Sequence, residues 1–84
     1  MELHEKINTV GSKEDFADFI SALRTDLLAH PDTWENPTLE SFLEAMESWV
    51  GSMESYYKNT GQECPEIPGW KVFADILYAA KIYE

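Results

Sequence analysis

Apolar residues recur along this chain at the spacing of three and four that places them on one face of an α-helix. Asn36 is a candidate N-cap for the central row, and Pro37 fits the first helical position, where a missing N–H has no consequence. The pattern predicts a helix over residues 37–57, weakened at Gly51, with Thr38 as the alternative cap. The row consists of Leu39, Phe42, Leu43, Met46, Trp49, Val50, Met53 and Tyr57.

Two more helices are predicted on either side of this central one. Ser12 and Asp15 form a near capping box, and the residue before Pro31 is pushed out of the helical region. These signals predict a helix over about Lys13–Ala29. A separate apolar stripe predicts another over about Trp70–Ile82; it consists of Trp70, Phe73, Ala74, Leu77 and Ala80. The second of these is apolar almost all round, which is typical of a central helix.

The remaining segments are predicted connections. Residues 1–11 form a short lead, and residues 58–69 form a long loop rich in Gly, Pro and Asn. We therefore predict an all-α fold: a single helical domain over residues 1–84, built as a small antiparallel bundle of three main helices, with a short fourth in the lead or the loop. The expected core is Phe16, Ile20, Leu23, Leu39, Phe42, Met46, Trp49, Val50, Phe73 and Leu77.

Composition supports a folded chain and adds a strong negative charge. Apolar residues make up 44% and charged residues 26% of the 84 residues, so the chain is not of the disordered class. The formal net charge is −10, from 16 acidic and 6 basic residues. Such a field disfavours nucleic acid and anionic membranes as partners and favours a basic protein. The alternative is that the acidity serves solubility alone.

Part of this charge lies in a row on the central helix. Glu40, Glu44 and Glu47 fall on one face, and like charges four residues apart cost an isolated helix a few tenths of a kcal/mol. We expect them to bind a partner, together with an exposed aromatic anchor. The anchor candidates are Trp34, which could instead fold back as a lid on the core, and Tyr56, because Tyr56 and Tyr57 cannot both face the core.

No constellation of catalytic or metal-binding residues stands out. His4 and Glu5 begin like a zinc-protease motif, but position 8 is Asn8, and Cys64 has no base near it in the sequence. Glu40 and Glu44 as an acid–base pair are less plausible than a solvated pair. We expect no enzyme activity, no cofactor and no metal. The first ten residues do not look like a signal peptide, and no apolar run reaches membrane-spanning length, so the expected compartment is the cytoplasm.

Two groups of sequence features resemble known families. The first resemblance is to an uncharacterised family of small acidic bacterial proteins. It rests on four segments: Trp34-Glu35-Asn36, Leu39 to Met46, Pro68-Gly69-Trp70-Lys71 and Ala79-Ala80-Lys81-Ile82-Tyr83-Glu84. That resemblance covers nearly the whole chain and implies no activity.

The second resemblance is local. Residues 35–50 are similar to the inhibitory helix of barstar, in which two acidic residues four apart block a basic ribonuclease active site. The similarity rests on Glu35-Asn36, on Glu40 and Glu44 in the helix, and on Trp49-Val50. Here residues 37–38 are inserted and the acids are Glu rather than Asp. The Met-Glu-Leu start and the Tyr pair at 56–57 are also similar to the helical immunity proteins of nuclease colicins.

The expected function is therefore that of a protein-binding module. More sharply, the resemblance implies an immunity-type inhibitor that covers a basic surface of a toxin nuclease. The alternative is a structural or regulatory protein that assembles with itself or binds a partner that is not a toxin.

Overall fold

Over residues 2–83, which the computed structural model describes, the chain forms five α-helices and no β-strand. The predicted all-α class is confirmed, but the helix count is five rather than three or four. Two 3₁₀ turns, Ile7–Thr9 and Pro31–Thr33, connect helices. The helices are α1 (Leu3–Lys6), α2 (Lys13–Ala29), α3 (Leu39–Gly51), α4 (Met53–Asn59) and α5 (Trp70–Ile82).

Helix α2 has the ends that its sequence predicts. Ser12 Oγ accepts a hydrogen bond from the Asp15 backbone N–H at 3.1 Å, which satisfies one of the free donors of the first turn. The Asp15 carboxylate in turn accepts from the Gly11 N–H at 3.1 Å. At the other end the His30 N–H closes the last turn on Asp26 O at 2.7 Å, directly before Pro31.

Helix α3 begins later than the pattern predicts, because Thr38 and not Asn36 is its cap. Thr38 Oγ1 accepts from the Ser41 N–H at 3.2 Å, and Ser41 Oγ accepts from the Thr38 N–H at 3.3 Å, a reciprocal capping box. The Asn36 side chain is used elsewhere: its amide donates to Ala80 O at 3.0 Å and Tyr83 O at 2.6 Å. It satisfies carbonyls that the end of a helix leaves without a partner.

The predicted helix over residues 37–57 is interrupted at Ser52. This residue has φ −122° and ψ 14°, and it ends α3 and begins α4. Gly51, a weak helix former, lies directly before the break. The end of the predicted helix is therefore the separate short helix α4, which turns the Tyr57 ring into the interior.

Helix α5 packs against both α3 and α2 and lies between two clusters of buried side chains, which agrees with its predicted central place. Ala74 belongs to the first cluster, on the α2 side, and Ala79 to the second, on the α3–α4 side. The first cluster consists of Ile7, Val10, Phe19, Leu23, Trp34 and Ala74, and the second of Trp49, Tyr57 and Ala79.

The predicted core is correct in part. Leu23 and Trp49 are buried, and a further four of the ten residues are half-buried: Phe16, Phe42, Met46 and Leu77. The prediction is wrong for the remaining four, which are exposed: Ile20, Leu39, Val50 and Phe73. Alanines fill much of the interior instead (Ala45, Ala74, Ala79 and Ala80). Small side chains allow close helix contact, so larger apolar residues beside them lie at the rim.

Candidate functional site

The acidic face of α3, defined by Glu40, Glu44 and Glu47, is exposed along its whole length. A capped first turn holds Glu40 near the N-terminus of the helix, where a negative charge is favourable. The ion pairs within residues 2–83 involve other acids, so no basic side chain of this part of the chain neutralises the face. The three carboxylates surround a shallow depression of about 310 Å³ that also contacts Leu43.

A row of exposed apolar side chains runs directly beside this acidic face. Leu39 is 74% exposed, Leu43 52% and Val50 42%. Successive helical residues are separated by about 100°, which places this row between the acids and the buried side of α3. Single exposed leucines are ordinary, but a contiguous row rimmed by charge is typical of an interaction surface.

The apolar row continues into a groove between α2 and α3. This α2–α3 groove has a volume of about 360 Å³, and Leu39 belongs to both the groove and the exposed row. Arg24 lies at its edge. Its apolar lining includes Ile20, Leu23, Leu27, Phe42 and Leu77. The groove is wide enough for an apolar side chain of another protein.

Trp34 lies beneath this groove and not on the surface. Its ring is 8% exposed and stacks on Phe42, with the ring centroids 6.0 Å apart. Its indole Nε1–H donates to the Asp26 carboxylate at 2.8 Å. Of the two positions that the sequence left open, the structure shows the lid on the core, so Trp34 is not available as an exposed anchor.

Trp34 shares its carboxylate with a basic residue that is distant in the sequence. Lys81 Nζ donates to Asp26 Oδ2 at 2.8 Å and also lies 5.6 Å from the centre of the Trp34 ring. The hydrogen bond from Lys81 lowers the pKa of the Asp26 carboxyl, although burial acts in the opposite direction. The pair joins α2 to α5. No local pattern signals it, because the partners are 55 residues apart.

Tyr56 is exposed by 40%, but it does not lie on the acidic face. Its ring packs on Trp49 with centroids 5.3 Å apart, on the side of α3 opposite the glutamates. There it lines a cleft of about 620 Å³, here called the aromatic cleft, which α5 also lines. The structure therefore brings Glu40, Glu44 and Glu47 together and separates them from both aromatic anchor candidates.

A second buried network lies at the aromatic cleft. The Tyr57 hydroxyl donates to Asp75 Oδ2 at 2.7 Å, and Lys71 Nζ lies 3.3 Å from the same oxygen. Burial, reinforced by the hydrogen bond to Asp75, raises the pKa of Tyr57 well above its ordinary value. Tyr57 is therefore a fixed donor. No local sequence pattern marks Asp75, because its partner Tyr57 is 18 residues away.

Residues 2–83 contain no group of three or more His, Cys, Asp or Glu side chains arranged to hold a metal ion. His4 and His30 are exposed, and Cys64 is half-buried. In the same part of the chain no helix has both the length and the apolar character needed to cross a bilayer.

The comparison with protein families matches residues 12–84 to a family of unknown function, DUF7660. The chain belongs to this family. No curated protein and no solved structure matches it. Membership in DUF7660 assigns no activity, so a function for this DUF7660 protein has to be argued from its surface.

Proposed function

We propose that this protein is a binding module that uses the acidic face of α3 to cover a basic surface of another protein. The observation that supports this proposal is the exposed row of Glu40, Glu44 and Glu47, without a cation from residues 2–83, beside the exposed Leu39 and Leu43. Like charges four residues apart disfavour the helix that carries them. Cationic side chains of a basic partner would offset this repulsion between the glutamates.

The two kinds of side chain have different parts in this binding. The acids attract a basic partner from a distance and mainly raise the association rate. Leu39 and Leu43 give up exposed apolar surface on contact, and the α2–α3 groove accepts an apolar side chain of the partner. Their removal is expected to raise the dissociation rate.

In its sharper form the proposal is a cytoplasmic immunity-type inhibitor of a toxin nuclease. A nuclease active site is basic because it holds a phosphate backbone, and an acidic helix laid across it excludes the substrate. The net charge of −10 and the similarity of residues 35–50 to the barstar inhibitory helix support this form. The mechanism is occlusion, so the protein itself catalyses nothing.

Self-assembly through the same surface is disfavoured on electrostatic grounds. Two copies that meet through α3 would bring like carboxylates together at short range. A structural or regulatory role with another partner is the remaining alternative, and it differs from the nuclease proposal in the identity of that partner.

The experiment begins with affinity capture from the source cell and identification of the captured protein by mass spectrometry. Binding is then measured by surface plasmon resonance at about 50 and 500 mM salt. Association of the wild type should slow as salt rises, because salt screens charge. Glu40→Gln with Glu44→Gln should slow association at low salt about tenfold, whereas Leu43→Ala should mainly raise the dissociation rate.

The matched control removes two acids from the loop instead. Glu63 and Glu66 are exposed, and changing both to Gln removes the same number of negative charges as the Glu40 and Glu44 changes. If both double variants slow association equally, only net charge matters and the acidic face is not the binding site. Inhibition of a captured nuclease at a 1:1 ratio supports the immunity form, and a captured protein without nuclease activity contradicts it.

A further inference from the structure

The aromatic cleft has a chemistry that the proposed function does not use. It is a space of about 620 Å³ over one side of α5. Its lining combines four aromatic side chains with one carboxylate: Trp49, Tyr56, Tyr78, Tyr83 and Asp75. Ile7, Ala79 and Ile82 add apolar surface. This volume is in the range of small-molecule sites.

Asp75 is the polar group around which the cleft is built. The residue is only 8% exposed, and the Tyr57 hydroxyl fixes its Oδ2 at 2.7 Å. The other oxygen, Oδ1, has a long contact of 3.4 Å to Lys71 Nζ within residues 2–83. A carboxylate oxygen can accept more than this, so Oδ1 has capacity for another donor.

Lys71 is a weakly held partner for this carboxylate. Its ammonium lies 3.3–3.4 Å from the two oxygens, whereas the pair between Lys81 and Asp26 is 2.8 Å long. The Lys71 side chain is also 42% exposed, so it can turn toward solvent. A second cation with better geometry can displace it.

The aromatic rings favour the same kind of ligand. The face of an aromatic ring carries negative charge density and attracts a cation, with Trp the strongest. Trp49 and Tyr56 lie with centroids 5.3 Å apart on one wall. We propose that the aromatic cleft binds an organic cation, namely a primary ammonium group on an apolar body, with the ammonium on Asp75 and the body against the rings.

The site is independent of the acidic face. At about 100° per residue, Trp49 lies on the opposite side of α3 from Glu40, Glu44 and Glu47. Binding in the cleft can therefore be tested without the protein partner, and its failure would leave the proposed function unaffected.

The test uses 2-phenylethylammonium as the probe, with the neutral 2-phenylethanol as its matched control. Isothermal titration calorimetry at about 150 mM NaCl gives affinities, and the indole N–H resonance of Trp49 reports the location. We expect saturable binding of the ammonium and at least tenfold weaker binding of the alcohol. An acetylated peptide with one Lys beside one Phe, as a second ligand, shows whether the cation can be a protein side chain rather than a free amine.

Three variants give effects of different sign. Asp75→Asn keeps an acceptor for the Tyr57 hydroxyl and should weaken ammonium binding about tenfold or more, the loss expected for a charge-assisted hydrogen bond. Tyr56→Leu should weaken it about two- to fivefold, the ratio of an exposed cation–π contact. Lys71→Gln should strengthen binding, because it removes the competing ammonium.

The controls separate this site from general attraction of cations to an acidic protein. Asp18→Asn and Lys58→Gln change exposed residues outside the cleft by the same charge. If Lys71→Gln and Lys58→Gln act equally, or if neither ligand moves the Trp49 resonance, the proposal is overturned. Circular dichroism checks that each variant is folded. If Asp75→Asn unfolds, the Tyr56→Leu and Lys71→Gln variants still test whether the ammonium binds in the aromatic cleft.

Discussion

Thr38, the alternative cap in the sequence, caps α3, and the Asn36 side chain binds the end of α5 instead. Thr38 caps α3, so Thr38→Ala should cost about 1 kcal/mol of unfolding free energy. Asn36→Ala removes two hydrogen bonds to the end of α5 and should cost about 1–3 kcal/mol. Urea unfolding of both variants measures the two losses.

Asn36→Asp provides the control for this pair. It keeps the size of the side chain but removes the amide donor, and it places a carboxylate against carbonyl oxygens. It should therefore be at least as destabilising as Asn36→Ala. If Asn36→Ala leaves the unfolding free energy unchanged, the side-chain hydrogen bonds from Asn36 to the end of α5 contribute nothing to stability.

Asp26 is expected to make stability depend on pH. Lys81 lowers the pKa of this carboxyl in the folded state, so its stabilising contribution is present above the unfolded value of about 3.9 and is lost as pH falls through the lower folded value. Asp26→Asn should cost about 1–3 kcal/mol at pH 7, because Lys81 loses its partner. The difference in Tm from the wild type should shrink below about pH 4.

The exposed Asp18, on the same helix, is the matched control for this titration. Asp18→Asn removes an exposed charge and should change Tm little at pH 7. If the difference in Tm between Asp26→Asn and the wild type stays constant from pH 7 to pH 2, the pair of Asp26 and Lys81 is not what makes stability depend on pH.

At the scale of whole helices, the break between α3 and α4 offers a stabilising change. Gly51 is helical, and a Cβ built there meets no atom within 4 Å. Gly51→Ala should therefore raise the unfolding free energy by about 0.4–1 kcal/mol. Gly61 is the contrasting position, because its φ of 74° strains any other side chain.

Gly61→Ala should destabilise by about 1 kcal/mol. Thermal unfolding of the two variants should thus shift Tm in opposite directions. A loss of stability in Gly51→Ala would mean that the break at Ser52 requires the glycine.

The helices that could be predicted from sequence are those whose ends are set locally. Ser12 and Pro31 bound α2 through contacts within a few residues, and the bounds of α5 were likewise correct. The start of α3 is also set locally, by Thr38 and Ser41, but the sequence offers two caps. Asn36 is not the cap because its side chain binds carbonyls more than forty residues away. Trp34 likewise has a distant partner, because the Lys81 ammonium lies 5.6 Å from the centre of its ring.

Some features of the candidate site also follow from local sequence spacing, whereas others depend on how the helices pack. The acidic face follows from helical spacing alone, so its three glutamates were identified correctly as a group on one surface. The position of Tyr56 relative to that surface depends on the break at Ser52 and on how α4 packs. The exposure of Leu39 depends on how α3 packs against α5. Neither is a local property of the sequence.

For the molecule as a whole, Phe19 and not Phe42 is expected to carry the larger share of stability. Phe19 is fully buried in the first cluster, whereas Phe42 is half-buried beside Trp34. Phe19→Ala should cost about 3–5 kcal/mol, a large part of what a protein of this size has. Phe42→Ala should cost clearly less, although the sequence pattern places Phe42 in the expected core.

Chemical denaturation of both variants gives the comparison, and Phe19→Leu is the control that keeps an apolar side chain. Equal losses for Phe19→Ala and Phe42→Ala would mean that burial in the folded state does not rank the two sites.

The position of α5 between two buried clusters sets the order in which the molecule can open. Amide protons of α5 should exchange with deuterium only on global unfolding, because both clusters must separate to release them. Helix α4 buries little besides Tyr57, so its amides should exchange through a smaller, local opening. That opening would also give the adjoining residues 60–69, most of them already at the surface, the freedom to enter a protease active site. Equal protection of α4 and α5 would instead show that the two clusters melt as one cooperative unit.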